Sequence, residues 1–505
     1  MSFIFCFQAA LGLIFLCCAF VYYFVCLPPK HPQNIPAIPF WVVLIPFFKD
    51  VDQRDTYHKY LEKPLTEYGA VKIFFGARWN IIVQDSAYLA EMFRDEEVFQ
   101  KTGNQKKIPH AVVAQFLGDN IISARGENHK LYKSIIRPGL QRNFDSELEL
   151  LFSNAALLCK LLGDSQRAVG RNGIPVQGLL QRYTIANVSQ CLLQTDFQTL
   201  SDPNAKLNAL QSAVKGQIFQ PIFMNFPFLD RLPIPSRVKA RELVESFSQE
   251  LDRTLSKSHG GSTPSLNSDK LGIRLLAARN EGLINDKQLH DNLNVTFVAG
   301  QENPQLLLTS IMYLLAKYPH IQNRVRAETS HIDLNTATVA DLTEIPYLTS
   351  TIYEALRLFP PISQLINRRT STPVLLGSKI IIPENTFVGY NAYSTNRSSR
   401  TWGPDANECV PERWGITSEE ISKRYRKATA RAEFISFHGG SRACLGEKFA
   451  MLETRVSILC LVRGFEWGLD PEWIERMTPA GPLYPRALKL VLRAREKTVG
   501  EKGDF

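Results

Sequence analysis

One loop limits how this 505-residue chain can fold more than any other feature. Phe437-His438-Gly439-Gly440-Ser441-Arg442-Ala443-Cys444-Leu445-Gly446 sets a single thiol among glycines, which let backbone come close to a flat group. The apolar spacing over 445–460 predicts a helix directly after it. The first N–H groups and the dipole of that helix would then favour Cys444 as an anion. Arg442, two positions upstream, can give charge-assisted hydrogen bonds to a carboxylate. A thiolate placed this way suits the axial position on a haem iron.

Helical periodicity dominates the rest of the chain. It predicts helices over 87–93, 148–162, 177–193, 237–256, 286–318 and 347–358. Strands are fewer. Residues 68–83 read as a hairpin around Phe75-Gly76, residues 375–390 as short strands around Pro383-Glu384-Asn385, and 487–492 as a last strand. The expected class is therefore mostly α with minor β. Residues 258–267 read as a polar loop. Residues 219–235, rich in aromatics and prolines, read as an exposed apolar loop.

The stretch 1–27 carries no charge and is long enough to span a bilayer as one helix. It lacks the basic start and short apolar run of a cleaved leader, so it is expected to be a signal anchor. Pro28, Pro29, Pro32, Pro36 and Pro39 then predict a stiff hinge over 28–40, followed by one catalytic domain over 41–505. Lys30 places that domain on the cytosolic side, which points to single-pass residence in the endoplasmic reticulum membrane. A net charge of +9 without an arginine tract argues against nucleic acid as a partner. Four of the nine cysteines lie in or beside the anchor, and the others show no zinc spacing, so a reduced compartment follows.

The spacing F-x-x-G-x-R-x-C-x-G resembles the haem-binding signature of the cytochrome P-450 family, the haem-thiolate monooxygenases. The resemblance implies an α-rich prism fold, haem b held by Cys444 with Phe437, Gly440, Arg442 and Gly446 around it, and the use of dioxygen. Glu354-Ala355-Leu356-Arg357 places acid and base three apart on one helix face. In the family this pair meets Arg413 and locks the core behind the haem. Ala299-Gly300-Gln301-Glu302-Asn303-Pro304 matches the oxygen-activating segment, with asparagine where threonine is usual. Glu302 would supply the acid, Asn303 a water site, and Gly300 a carbonyl freed by a bulge at Pro304. His129 and Lys133 stand where the family carries tryptophan and arginine against a haem propionate, and Arg368 is a further propionate partner.

Basic residues Lys423, Arg424, Arg426, Lys427, Arg431 and Lys448 flank the cysteine loop. They suit an acidic electron donor, implied to be an NADPH-dependent cytochrome reductase, with cytochrome b5 as an alternative. Within the family, Gly300-Gln301-Glu302-Asn303-Pro304-Gln305, Gly103-Asn104-Gln105-Lys106-Lys107-Ile108-Pro109 and Thr478-Pro479-Ala480-Gly481-Pro482-Leu483 resemble the fungal dityrosine-forming branch and its relatives that dimerise isocyanides to xanthocillin-like products. That implies oxidative coupling of tyrosine-derived phenols, N-formyltyrosine or a tyrosine-derived isocyanide. Lys106 and Lys107 are then candidate carboxylate partners, and Phe219 and Phe223 candidate ring partners. Two other readings stand beside this one: hydroxylation of a small lipophilic substrate, and a haem-binding sensor or carrier without turnover.

Overall fold

The computed structural model describes residues 22–259 and 264–495, together with Phe7, Gln8, Gly12, Phe15, Leu16 and Ala19. Helices dominate, and the longest, Asp286–Lys317, runs through the interior. Its start is fixed by a capping box: Asn285 Oδ1 accepts from Gln288 N at 2.9 Å and Gln288 Oε1 accepts from Asn285 N at 2.9 Å. Every residue from Gln301 to Ala316 except Asn303 is buried. A helix buried on all faces belongs to the interior. Against it pack Gln177–Asn187, Pro346–Leu358 and Glu447–Gly464, and Leu148–Val169 packs on the first and last of these.

The main sheet has five strands in the order Ala70–Phe75, Arg78–Val83, Phe387–Asn391, Gln364–Thr370, Phe99–Lys101. The first two form the expected hairpin, with Phe75 opposite Arg78. The third joins in parallel and the rest run antiparallel. This register puts Lys101 directly across from Arg368. A three-stranded sheet joins Ile174–Pro175, Lys489–Ala494 and Phe465–Leu469.

The hinge, expected to be stiff, is also tied down: Lys72 N donates to Pro36 O at 2.9 Å and Ile38 N to Lys72 O at 2.8 Å, pinning residues 36–38 to the sheet edge. The long helix passes Pro304 without a break, so the bulge expected there is not seen. The segment after Phe219 forms two short turns, Pro221–Asn225 and Pro227–Arg231, each opened by a proline suited to the first helical position. The anchor expected over 1–27 lies largely outside the described residues. Among the described residues no helix is long and apolar enough to cross a membrane.

Candidate active site

A buried charge network holds the cysteine loop. Arg357 Nε and Nη2 donate to Glu354 Oε2 and Oε1 at 2.8 and 2.7 Å. The same carboxylate accepts from Arg413 Nε at 2.9 Å, Trp414 Nε1 at 3.0 Å and Val410 N at 3.0 Å. Arg357 spends its other donors on the carbonyls of Asn396, Ala406 and Glu408. Asn396 carries the network onward: its Oδ1 accepts from Ile435 N at 3.0 Å and its Nδ2 donates to Ser436 Oγ at 2.8 Å. The next residue, Phe437, accepts from Cys444 N at 2.9 Å. Glu354, Arg357 and Arg413 thus meet, and they act on the thiol only through backbone.

Cys444 is exposed in area, yet the protein around it is dense enough that burial pushes the thiol up to about 11. Both facts hold if the sulfur opens onto an interior space. The backbone N–H groups of Gly446 and Glu447, at the start of Glu447–Gly464, pull the other way, as a helix N-terminus should. Gly440 has φ +66°, and a Cβ there would come 2.7 Å from Phe93 O. Its glycine lets the loop sit directly on Phe93. At Gly446 a Cβ would lie 3.9 Å from Cys444 Sγ.

On the long helix, Glu302 forms an ion pair with Lys215 of Lys206–Ile218, with Nζ 2.7 Å from Oε1. The approach lies outside hydrogen-bond directions, since Oε1 has no hydrogen-bond donor. Asn303 Nδ2 donates to Ala299 O at 3.4 Å. Gly300 faces Val188, whose Cγ2 would be 3.0 Å from an added Cβ. The glycine therefore allows close helix packing on the side that its Cα turns to Val188. Both amide atoms of buried Gln301 lack a hydrogen-bond partner among the described residues.

At the other edge of the loop, Arg442 Nε donates to Glu96 Oε2 at 2.7 Å, and Arg368 Nη1 donates to Phe99 O at 2.7 Å. Arg442 Nη1 and Arg368 Nε and Nη2 are buried without a partner among the described residues. Burial, opposed by Glu96 and assisted by Arg442, brings Arg368 down to about 10. His129 is held down to about 4, first by burial and then by Arg442, with Lys133 and Lys101 adding to it. Lys101 is the residue that sequence reading missed. It is buried, reaches His438 Nε2 at 3.2 Å, and burial with Arg368 and Arg442 holds it well below the usual lysine range. Its signal was the pairing with Arg368 across the sheet, which needs the register and not the sequence alone.

The cytochrome P450 family model matches residues 34–491. The chain belongs to the cytochrome P450 family. Among curated P450s it is 42% identical over 480 residues to cytochrome P450-DIT2 of Saccharomyces cerevisiae, covering 95% of this chain and 96% of that one. It is 38% identical over 462 residues to cytochrome P450 monooxygenase xanG of Aspergillus fumigatus, covering 89% and 85%. The crystal structure of the cytochrome P450DA heme domain superposes with a TM-score of 0.75 at 18% identity, covering 93% of this chain and 97% of that one. That last likeness concerns the fold.

The residues present fit the haem of a P450. Lys101 and Arg368 stand opposite each other in one ladder, where like charges destabilise. With Arg442 and His129 they gather around one carboxylate, Glu96, and Lys133 acts on His129. Three orphaned arginine N–H groups in that cluster call for added anionic acceptors, which the two propionates of haem b would supply.

The other expected residues lie elsewhere. Lys106 is exposed, while Lys107 is buried between Phe75 and Phe387, 5.2 and 5.5 Å from their ring centres. Burial and Arg78 bring Lys107 down to about 7. Phe223 lies under the Arg237 guanidinium at 3.9 Å, so that ring already has an internal partner. Phe219 is 40% exposed at the end of its helix. Lys423, Arg426 and Lys427 on Ser418–Ala430 are exposed, as are Arg431 and Lys448, but Arg424 folds inward over Trp402 at 4.9 Å. Tyr425 on the same helix hydrogen-bonds Glu447, which links this basic helix to the one that follows Cys444.

Proposed function

We propose that this P450 couples two tyrosine-derived phenols oxidatively, joining them into a dimer without inserting oxygen into carbon. Two observations support the reading: 42% identity to a fungal P450 across 95% of the chain, and the Glu302-Asn303-Pro304 segment, which resembles the dityrosine-forming branch. Haem bound through Cys444 supplies dioxygen reduction and one-electron oxidation of the phenols. Arg442, Arg368, Lys101, His129 and Lys133 hold its propionates.

The chain's own part on the distal side is proton supply and water placement. Asn303 has its amide N–H committed to Ala299 O, so Oδ1 is left to accept from a water. Glu302, paired with Lys215, provides the ionisable group that exchanges protons with that water. N-formyltyrosine or a tyrosine-derived isocyanide is the substrate. The exposed basic residues Lys423, Arg426, Lys427 and Lys448 receive an NADPH-dependent reductase or cytochrome b5. Residues 1–27 anchor the enzyme in the endoplasmic reticulum membrane, with the catalytic domain in the cytosol.

The deciding experiment is product mass after incubation of the haem-loaded enzyme with reductase, NADPH and each substrate. A dimer two hydrogens lighter than two monomers is expected. A monomer heavier by one oxygen indicates hydroxylation and overturns coupling; a haem spectrum with no NADPH consumption on any substrate indicates a binding protein.

A further inference from the structure

A cavity of about 490 Å³ lies under the proline hinge, remote from Cys444, between residues 29–32 and the sheet edge. Its size is within the roughly 300–1,000 Å³ of small-molecule sites. Its lining has one sign of charge: Lys30, Lys72 and Arg78 with His31, and no aspartate or glutamate. Lys72 Nζ donates to Pro29 O and Pro32 O, both at 2.9 Å, holding the hinge over the cavity. Arg78 donates Nη2 to Lys107 O at 2.7 Å, but its Nε is buried with no partner among the described residues. It lies 4.6 Å from the ring centre of Phe387, which Arg369 also approaches at 5.7 Å. No ion pair neutralises any of these cations among the described residues. Beside Arg78 on the same strand face, Asn80 Oδ1 is a buried acceptor that also lacks a partner.

An unmet donor within a cationic wall calls for an anion, and an unmet acceptor beside it calls for a hydroxyl. The wall lies next to the segment that enters the hinge, since Trp79 Nε1 donates to Val25 O at 3.0 Å. We propose that this cavity binds the phosphate and a ring hydroxyl of a phosphatidylinositol headgroup, with Arg78 and Lys30 on the phosphate and Asn80 on the hydroxyl. The lipid source rests on the reading of residues 1–27 as an anchor, which would set the cavity at headgroup level.

The test is calorimetric titration of the detergent-solubilised, full-length, haem-loaded enzyme with dioctanoyl phosphatidylinositol. Dioctanoyl phosphatidylcholine and inositol 1-phosphate serve as separate arms. Saturable binding of the inositol lipid is expected, weakened about tenfold or more by Arg78→Gln, as for loss of a hydrogen bond to a charged group, and weakened also by Lys30→Gln. Lys30 is exposed, so that variant remains decisive if Arg78→Gln fails to load haem. No saturable binding, equal binding of the choline lipid, or affinity unchanged in Lys30→Gln overturns the site. Inositol phosphate binding as tightly as the lipid assigns the cavity to a free phosphate and overturns the membrane source. Vesicle flotation of the chain with and without residues 1–27 tests the anchor separately, so either idea can fail while the other stands.

Discussion

Lys215 and Glu302 join two helices at the heart of the site, the ammonium 2.7 Å from a carboxylate that is only 7% exposed. Lys215 is the better solvated partner, at 24%, so the pair is asymmetric. Removing the lysine leaves a nearly buried charge alone. Lys215→Met is therefore expected to lower stability by about 1–3 kcal/mol and to lower product formed per NADPH consumed. Lys215→Met with Glu302→Gln should regain most of the stability but not the product yield. Denaturant unfolding of the haem-loaded enzyme and a product-to-NADPH ratio check both.

Lys101 offers a test with opposite signs. Its ammonium is buried beside Arg368 and Arg442. Lys101→Met removes that repulsion and should stabilise the haem-free chain by roughly 1–4 kcal/mol, as when buried charge gives way to apolar packing. On the proposed reading the same change removes a propionate partner, so haem transfer to apomyoglobin should speed up about tenfold. Equal haem loss in the variant and the parent would remove Lys101 from the propionate site.

Glu354 accepts five donated bonds from four residues, all within the buried network. An amide has one accepting oxygen, so Glu354→Gln leaves two arginines short of their counter-charge. A loss of about 3–5 kcal/mol is expected, as for other broken buried pairs, together with failure to retain haem. The carbon-monoxide difference spectrum per milligram of protein reports the outcome.

Glu453, on Glu447–Gly464, is raised to about 8 by burial, against a bond of 2.7 Å from Asn187 Nδ2. The folded protein keeps its proton up to about pH 8, whereas the unfolded chain releases it near 4.5. Between those values the native state binds more protons, so stability falls as pH rises, by at most about 1.4 kcal/mol per pH unit. His129, held down to about 4 from 6.5, acts oppositely below pH 6.5. Lys107, brought down to about 7, also acts oppositely above about pH 7, so the readout is parent minus variant: over pH 6.5–8 the falling contribution of Glu453 should be missing from Glu453→Gln in urea unfolding.

Much of the site was legible because its chemistry is local. The Phe437–Gly446 loop and the Glu354–Arg357 pair lie within short stretches, and turn chemistry and helix spacing act over such distances. Helix 347–358 was read within a residue of Pro346–Leu358. The close packing of Gly300 on Val188 was not legible, because that neighbour is more than a hundred residues away. Phe223 was read as a candidate ring partner for a phenol, and its contact with Arg237 was not legible because that residue lies on another helix.

The sequence by itself determined the helical class, the loop that carries the candidate thiol Cys444, and the acid on the long helix, since periodicity and short spacings are properties of neighbouring residues. Only the tertiary structure decided which charges face one another. Lys101 meets Arg368 through strand register, Lys215 meets Glu302 through helix packing, and Lys72 holds the hinge across forty residues of chain. Coulomb energy depends on distance in space and on burial, and neither is written along the chain.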